Sequence, residues 1–188
     1  MRSSKDFFKP LAAGAPQPVT EIPFPPSRMI HFFDPSNEKM AAKVPDLLGS
    51  VDVLLGNLED AVKADNKEAA RQGLVDIAKA TDFGEHTQLW TRINALDSPW
   101  VLDDLVTLVT QIGDKLDVIM IPKVESPDDV RRAEAALMAA SAGHLPLHVL
   151  IESPAAAHRA FEIAAHPKVQ SLSFGLMDFV SAHGGAIP

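Results

Sequence analysis

The sequence predicts an α/β protein built as a parallel β/α barrel, and three observations carry that expectation. Short, nearly continuous apolar runs, the mark of strands buried on both faces, alternate six times with stretches of helical spacing. Strict alternation of β and α elements requires crossover helices and therefore parallel pairing. The turn after the first run, Asp34-Pro35-Ser36-Asn37, lacks the glycine-rich phosphate loop that a doubly wound nucleotide domain carries at that place.

Residues 1–27 come first and contain Pro10, Pro16, Pro18, Pro23, Pro25 and Pro26. Proline removes backbone donors and disfavours helix, so this segment reads as an extended arm lying outside the domain or against a partner subunit. The strands are expected at RMIHFF (28–33), VDVLLGNLE (51–59), TQLWTRI (87–93), DVIMIPKV (117–124), PLHVLIE (146–152) and VQSLSFGL (169–176). Helices are expected at about 36–48, 65–80, 100–113, 127–141 and 154–165. Ser126-Pro127 and Ser153-Pro154 each place proline in the first turn behind a capping serine. In the fourth helix Val130, Ala133, Leu137 and Ala140 recur at helical spacing and give one apolar face. An eight-stranded barrel takes about 250 residues. The 188 residues here hold six β/α units, so residues 28–188 read as a TIM-type catalytic barrel with six of eight units present and its C-terminal part cut off. Such an open sheet leaves unpaired edges that favour association.

Composition narrows the function. A net charge of −8 without a long basic run gives no footprint for a nucleic-acid backbone. The absence of cysteine excludes disulfides, thiolate metal sites and a thiol nucleophile. The opening MRSSKDFFKPLAAGAP is broken by charges and proline where a signal peptide is apolar, and no uncharged apolar run approaches about 18 residues, so a cytoplasmic protein with no membrane partner is expected. GxxxxGK[ST], HExxH and GxSxG patterns are all missing, leaving P-loop, zinc-protease and serine-hydrolase chemistry without support.

The strand ends carry Asp34, Glu59 and Asp60, Arg92 and Asn94, Lys123 and Glu125, Glu152, and Asp178. In a parallel barrel these ends share one face, where active sites are found. Each residue singly reads as well as a helix cap or a local ion pair. Six successive charged strand ends together point to a site. Glu152 and Asp178 close neighbouring strands about 4.8 Å apart, so both carboxylates can reach one ion. Two hard oxygen donors suit Mg²⁺, which keeps waters and takes further ligands from substrate, with Mn²⁺ the alternative. The competing expectation pairs one of them with Lys123 or Arg92. Arg92 can grip a carboxylate or stabilise an enolate oxygen, or else pair with Glu59 or Asp60. Lys123 has two readings, a Schiff-base amine or an ammonium held charged by Glu125, and the second is preferred. His31 and His148 lie inside strands and read as packed or hydrogen-bonded. His183, in the expected loop GLMDFVSAHGGAIP, is the one histidine considered for the site.

Six ordered motifs carry a resemblance: SRMIHFFDPSNEKM, LLGNLEDAVKADNKEAAR, TRINALDSPWVLDDL, IMIPKVESPDDV, HVLIESPAAAHRAFEIA and LSFGLMDF. With them the sequence resembles the citrate lyase β-subunit-like aldolases, the HpcH/HpaI family, and within it the malyl-CoA and β-methylmalyl-CoA lyases. Ser36 and Asn57 depart from the glycine and aspartate common there. The resemblance implies Glu152 and Asp178 as metal ligands. It implies Arg92 as the substrate-binding arginine, a catalytic residue, with the acidic pair Glu59 and Asp60 in the catalytic group, assigned to orienting Arg92 and metal-bound water; Lys123 and Asn94 are further candidate substrate contacts. It implies a Mg²⁺-dependent carbon–carbon lyase that cleaves or forms a 3-hydroxyacyl-CoA, such as malyl-CoA, from acetyl-CoA and glyoxylate. The partners it implies are a CoA thioester and a 2-oxo acid, in a homo-oligomer, trimer or hexamer. Two other readings stand beside it: a metal-free Schiff-base aldolase using Lys123, and a non-catalytic fragment or subunit that binds CoA thioesters.

Overall fold

The computed structural model describes residues 27–185. The arm expected over residues 1–27 lies, save for Ser27, outside the described residues. All six expected strands form, each shorter than its apolar run: β1 (Ile30–Phe33), β2 (Val53–Asn57), β3 (Gln88–Arg92), β4 (Val118–Ile121), β5 (Leu147–Ile151) and β6 (Val169–Phe174). They make one sheet in the order β1-β2-β3-β4-β5-β6, and every pairing is parallel. Sequential order without a reversal is barrel topology, whereas a doubly wound sheet reverses direction at a switch point.

The helices are α1 (Glu38–Ala41), α2 (Val44–Leu47), α3 (Lys67–Ala80), α4 (Val101–Ile112), α5 (Pro127–Ala139), α6 (Pro154–His158), α7 (Ala160–Ala164) and α8 (Leu176–Ala182). The expected helix at 36–48 is two short ones, the second carrying Pro45 in its first turn. The helix at 154–165 is likewise two pieces meeting at Arg159. α8 replaces the loop expected after β6, so Asp178 stands in a helical first turn rather than at a strand end. Both serine caps form: Asp129 accepts from the backbone of Ser126 at 2.9 Å, and the Ser153 hydroxyl accepts from Ala156 N at 3.1 Å.

Strand side chains alternate between two apolar layers, which explains the continuous hydrophobic runs. Leu54, Leu89, Ile119, Leu147, Val149 and Ile151 pack against Leu74, Leu108, Ile112, Val130 and Leu137 of the helices. Val53, Leu55, Trp90, Val118, Met120 and Leu150 form the second layer on the opposite sheet face. α3 lies close on β2 because Gly56 has no side chain: a Cβ there would come within 2.5 Å of Leu74 Cδ1. The edge strands are less covered, and His31 on β1 is exposed rather than packed.

His148 lies on the sheet face of that second layer, against Trp90, with 2% of its surface exposed. Its ring packs 5.1 Å from Trp90, and its two nitrogens lie 2.7 and 2.8 Å from the Ser171 and Ser173 hydroxyls. Burial pushes its pKa down to about 4 from 6.5. Between those values the unfolded chain takes up a proton that the folded chain refuses, so stability falls as pH drops from 6.5 toward 4. The loss from this group is roughly 3 kcal/mol, at 1.36 kcal/mol per pH unit. Urea unfolding at pH 7 and pH 4.5 should show a His148→Gln variant with a flatter pH response.

Candidate active site

The strand register brings the charged ends together. Asn57 pairs with Arg92 across β2 and β3, and Ile151 pairs with Phe174 across β5 and β6. Glu59, Arg92, Lys123, Glu152 and Asp178 therefore follow strands that end along one edge of the sheet.

Glu59 is the hub, and only 3% of its surface is exposed. One carboxylate oxygen lies 3.2 Å from Arg92 Nη2 and the other 2.8 Å from Lys123 Nζ. Asn57 Oδ1 accepts from both Glu59 N, at 3.0 Å, and Arg92 Nε, at 2.8 Å. A planar guanidinium held at two points has little rotational freedom, and its remaining N–H groups have no hydrogen-bond partner among the described residues. The ion-pair reading of Arg92 thus holds, with Glu59 as partner.

Lys123 is fixed by Glu59 and by exposed Asp60, 3.1 Å away. Glu125, the expected partner, instead donates its own N–H to Asp129. Burial opposes the charge on Lys123, yet the hydrogen bonds to Glu59 and Asp60 outweigh it and raise its pKa above the ordinary lysine range. An amine held protonated in this way is a poor imine-forming nucleophile, which removes support from the Schiff-base reading.

The Lys123 backbone has φ +53°, a left-handed conformation that non-glycine residues seldom adopt. It turns the Lys123 N–H onto Glu152 Oε1, 2.6 Å away. Lys123 therefore meets Glu152 through its backbone and the Glu59–Asp60 pair through its side chain. Glu152 is nearly buried, and its pKa is raised by that burial and by the charges of Asp178 and Glu59. Its other face lies against Gly175, where a Cβ would come within 2.8 Å of Oε2 and 2.6 Å of the Glu152 Cβ. Glu152 and Asp178 line one cleft of about 320 Å³ with Lys123, Glu125, Ser153 and Ser181. Two carboxylates lining one open cleft, near enough that the charge of Asp178 bears on Glu152, are a donor set that a hard cation could complete. Among the described residues no three His, Asp or Glu side chains cluster as they would for an all-protein metal cage.

Other expected residues lie elsewhere. Asn94 does not reach the cleft: it is buried, its Oδ1 accepts from Lys67 Nζ at 2.6 Å, and its amide donates to Asp104 at 2.7 Å. Asp34 accepts from the Ser36 N–H and hydroxyl, a local turn. His183 is exposed and bound to its own helix at Phe179 O, 2.8 Å away. Asn57, Gly175, Lys67, Arg71 and Asp104 were not anticipated. One sequence signal does point to Lys67 and Arg71, which fall on the helical stripe of Ala70, Leu74 and Ala78, so that two cations sit on an apolar face. A larger cleft of about 530 Å³ opens at the opposite ends of the strands, around Lys79, Phe83, Glu85, Lys115 and Asp117. Barrel chemistry belongs to the carboxyl ends, which sets that cleft apart from the charged face.

Parallel strands in sequential order, with acids and an arginine gathered at their carboxyl ends, define the class of β/α-barrel proteins that build their sites there. The chain belongs to the HpcH/HpaI aldolase/citrate lyase family, whose model matches residues 28–186. It is 48% identical over 185 residues to the malyl-CoA/β-methylmalyl-CoA/citramalyl-CoA lyase of Chloroflexus aurantiacus, covering 95% of this chain and 53% of that protein. It is 37% identical over 175 residues to an L-malyl-CoA/β-methylmalyl-CoA lyase of Cereibacter sphaeroides, covering 86% and 53%. Among solved structures it resembles the citrate lyase β subunit of Mycobacterium tuberculosis complexed with oxaloacetate and magnesium. The TM-score is 0.67 at 25% identity, covering 84% of this chain and 62% of that one. The chain spans about half the length of the curated relatives it matches.

Proposed function

We propose that the protein is a Mg²⁺-dependent carbon–carbon lyase acting on a 3-hydroxyacyl-CoA such as malyl-CoA, giving acetyl-CoA and glyoxylate, and running the reverse condensation at the same site. The observation that carries this is the placing of Glu152 and Asp178 on one cleft at the strand ends, beside a locked Arg92. Glu152 and Asp178 would hold the cation, with Mn²⁺ able to replace it. Bound there, the ion supplies Lewis-acid polarisation of the oxo-acid oxygen. Arg92 presents its free N–H groups to the enolate oxygen that develops as the bond breaks. Glu59, tied to two cations, orients Arg92 rather than moving a proton. Lys123 pairs with the Glu59 carboxylate and, through its N–H, aims Glu152. Residues 28–188 form the catalytic domain on this reading, in a cytoplasmic homo-oligomer of trimeric or hexameric order.

Incubating the purified chain with malyl-CoA and Mg²⁺ should release equal amounts of glyoxylate and acetyl-CoA, and EDTA should stop it. Turnover that survives chelation, or malate and free CoA without glyoxylate, would sink the proposal. A second reading is a subunit that binds CoA thioesters without turnover. Calorimetric CoA binding with no glyoxylate release would select it.

A further inference from the structure

Lys67 and Arg71 stand one helical turn apart on the buried stripe of α3, where an unpaired charge is costly. Lys67 Nζ offsets that cost with three hydrogen bonds, to Leu58 O at 2.7 Å, Glu59 O at 3.0 Å and Asn94 Oδ1 at 2.6 Å. Three is the whole donor complement of an ammonium. The same nitrogen lies 5.2 Å from the centre of the Trp100 ring. No proton on it remains for a ligand.

The acceptors belong to two different loops, one leaving β2 and one leaving β3. Those two strands end in Asn57 and Arg92. Asn94 continues the chain of contacts, since its backbone N–H and its amide both donate to Asp104 Oδ2, at 2.9 and 2.7 Å. Asp104 Oδ1 accepts from Arg71 Nε at 3.0 Å, which returns the network to α3. Glu59 is thereby gripped at its carbonyl by Lys67 and at its N–H by Asn57, while its carboxylate holds Arg92 and Lys123. A residue whose backbone is pinned on both sides cannot rotate its side chain axis freely.

We infer that Lys67 is a positioning residue: through the Leu58 and Glu59 carbonyls it sets the orientation of Arg92 on the charged face. This deepens the lyase reading in what Arg92 is used for, but the positioning itself requires neither metal nor thioester. A charge serving stability alone would need only nearby acceptors. Two of the three here are the carbonyls of Glu59 and of the residue before it, the one pair whose movement swings the carboxylate that holds Arg92.

The test reads Arg92 directly. In chain labelled with ¹⁵N-arginine, the Arg92 Nε–H signal, identified by its loss in Arg92→Lys, should exchange slowly with solvent because Asn57 holds it. Lys67→Met should speed that exchange by about tenfold, the weight of roughly one net hydrogen bond. Arg71→Met breaks the same network away from Glu59, and should lower the melting temperature while leaving Arg92 exchange near wild type. If Lys67→Met does not fold, Lys67→Arg serves in its place. Its planar donors cannot surround three acceptors as a tetrahedral ammonium does, so Arg92 exchange should again quicken. Arg92 exchange unchanged in the folded Lys67 variant, or quickened equally by Arg71→Met, overturns the inference. Since no metal or CoA ester enters the measurement, its result stands apart from that of the lyase assay.

Discussion

If Glu152 holds the cation as proposed, Glu152→Gln should lower the affinity of the protein for Mn²⁺ by about two orders of magnitude or more, beyond what loss of a supporting group beside a ligand costs. Glutamine keeps the volume and can still accept the Lys123 N–H with its amide oxygen, so the change isolates the charge. Without a cation, Glu152 and Asp178 repel each other as carboxylates, and burial adds to the penalty on Glu152. The metal-free variant should therefore melt at the wild-type temperature or above it. Mn²⁺ should raise the melting temperature of the wild type, since a cation binding only the folded state stabilises it by mass action, and in the variant that rise should disappear. Asp178→Asn should act alike. Gly175→Ala should reach the same end from the next strand, by driving a methyl group into the space of Glu152 Oε2. Electron paramagnetic resonance of free Mn²⁺ measures all three. Wild-type affinity in Glu152→Gln would remove that residue from the site.

How much of this was legible in the sequence follows from the range of each interaction. The strands were readable because burial on both faces produces a local pattern, VLLGN or VIMI, that needs no knowledge of neighbours. Their carboxyl ends were readable as one face because parallel pairing follows from alternation alone. Partners on that face were not. Lys123 was matched to Glu125, two residues away, whereas it is held by Asp60, 63 residues earlier, and by Glu59. Only the register of β2, β3 and β4 brings those loops together. Asn94 is expected among the substrate contacts, but the chain after β3 turns inward and spends its amide on Lys67 and Asp104. The left-handed backbone of Lys123 has no counterpart in composition, since nothing but the need to place its N–H on Glu152 calls for it. α8 escaped notice for a simpler reason: its seven residues are too few for helical periodicity to separate from a loop.

Asp104→Ala is the substitution expected to harm the fold most, by about 3–5 kcal/mol, the usual cost of removing one partner from a buried charged pair. Asp104 is 0% exposed and accepts three hydrogen bonds, from Arg71 Nε, Asn94 N and Asn94 Nδ2. Alanine leaves the Arg71 guanidinium buried without a counter-charge and orphans two Asn94 donors. Asp104→Asn keeps the shape but turns an amide toward groups that are themselves donors, so it should recover little. Removing Arg71 as well, in Arg71→Met with Asp104→Ala, should restore part of the loss, because the uncompensated charge goes while the Asn94 donors stay unmet. The double variant should thus be more stable than the sum of its singles, with a coupling of roughly 1–3 kcal/mol. Urea unfolding with an unchanged m-value measures each arm. A loss below about 1 kcal/mol for Asp104→Ala would mean the pair behaves like a solvated surface bridge.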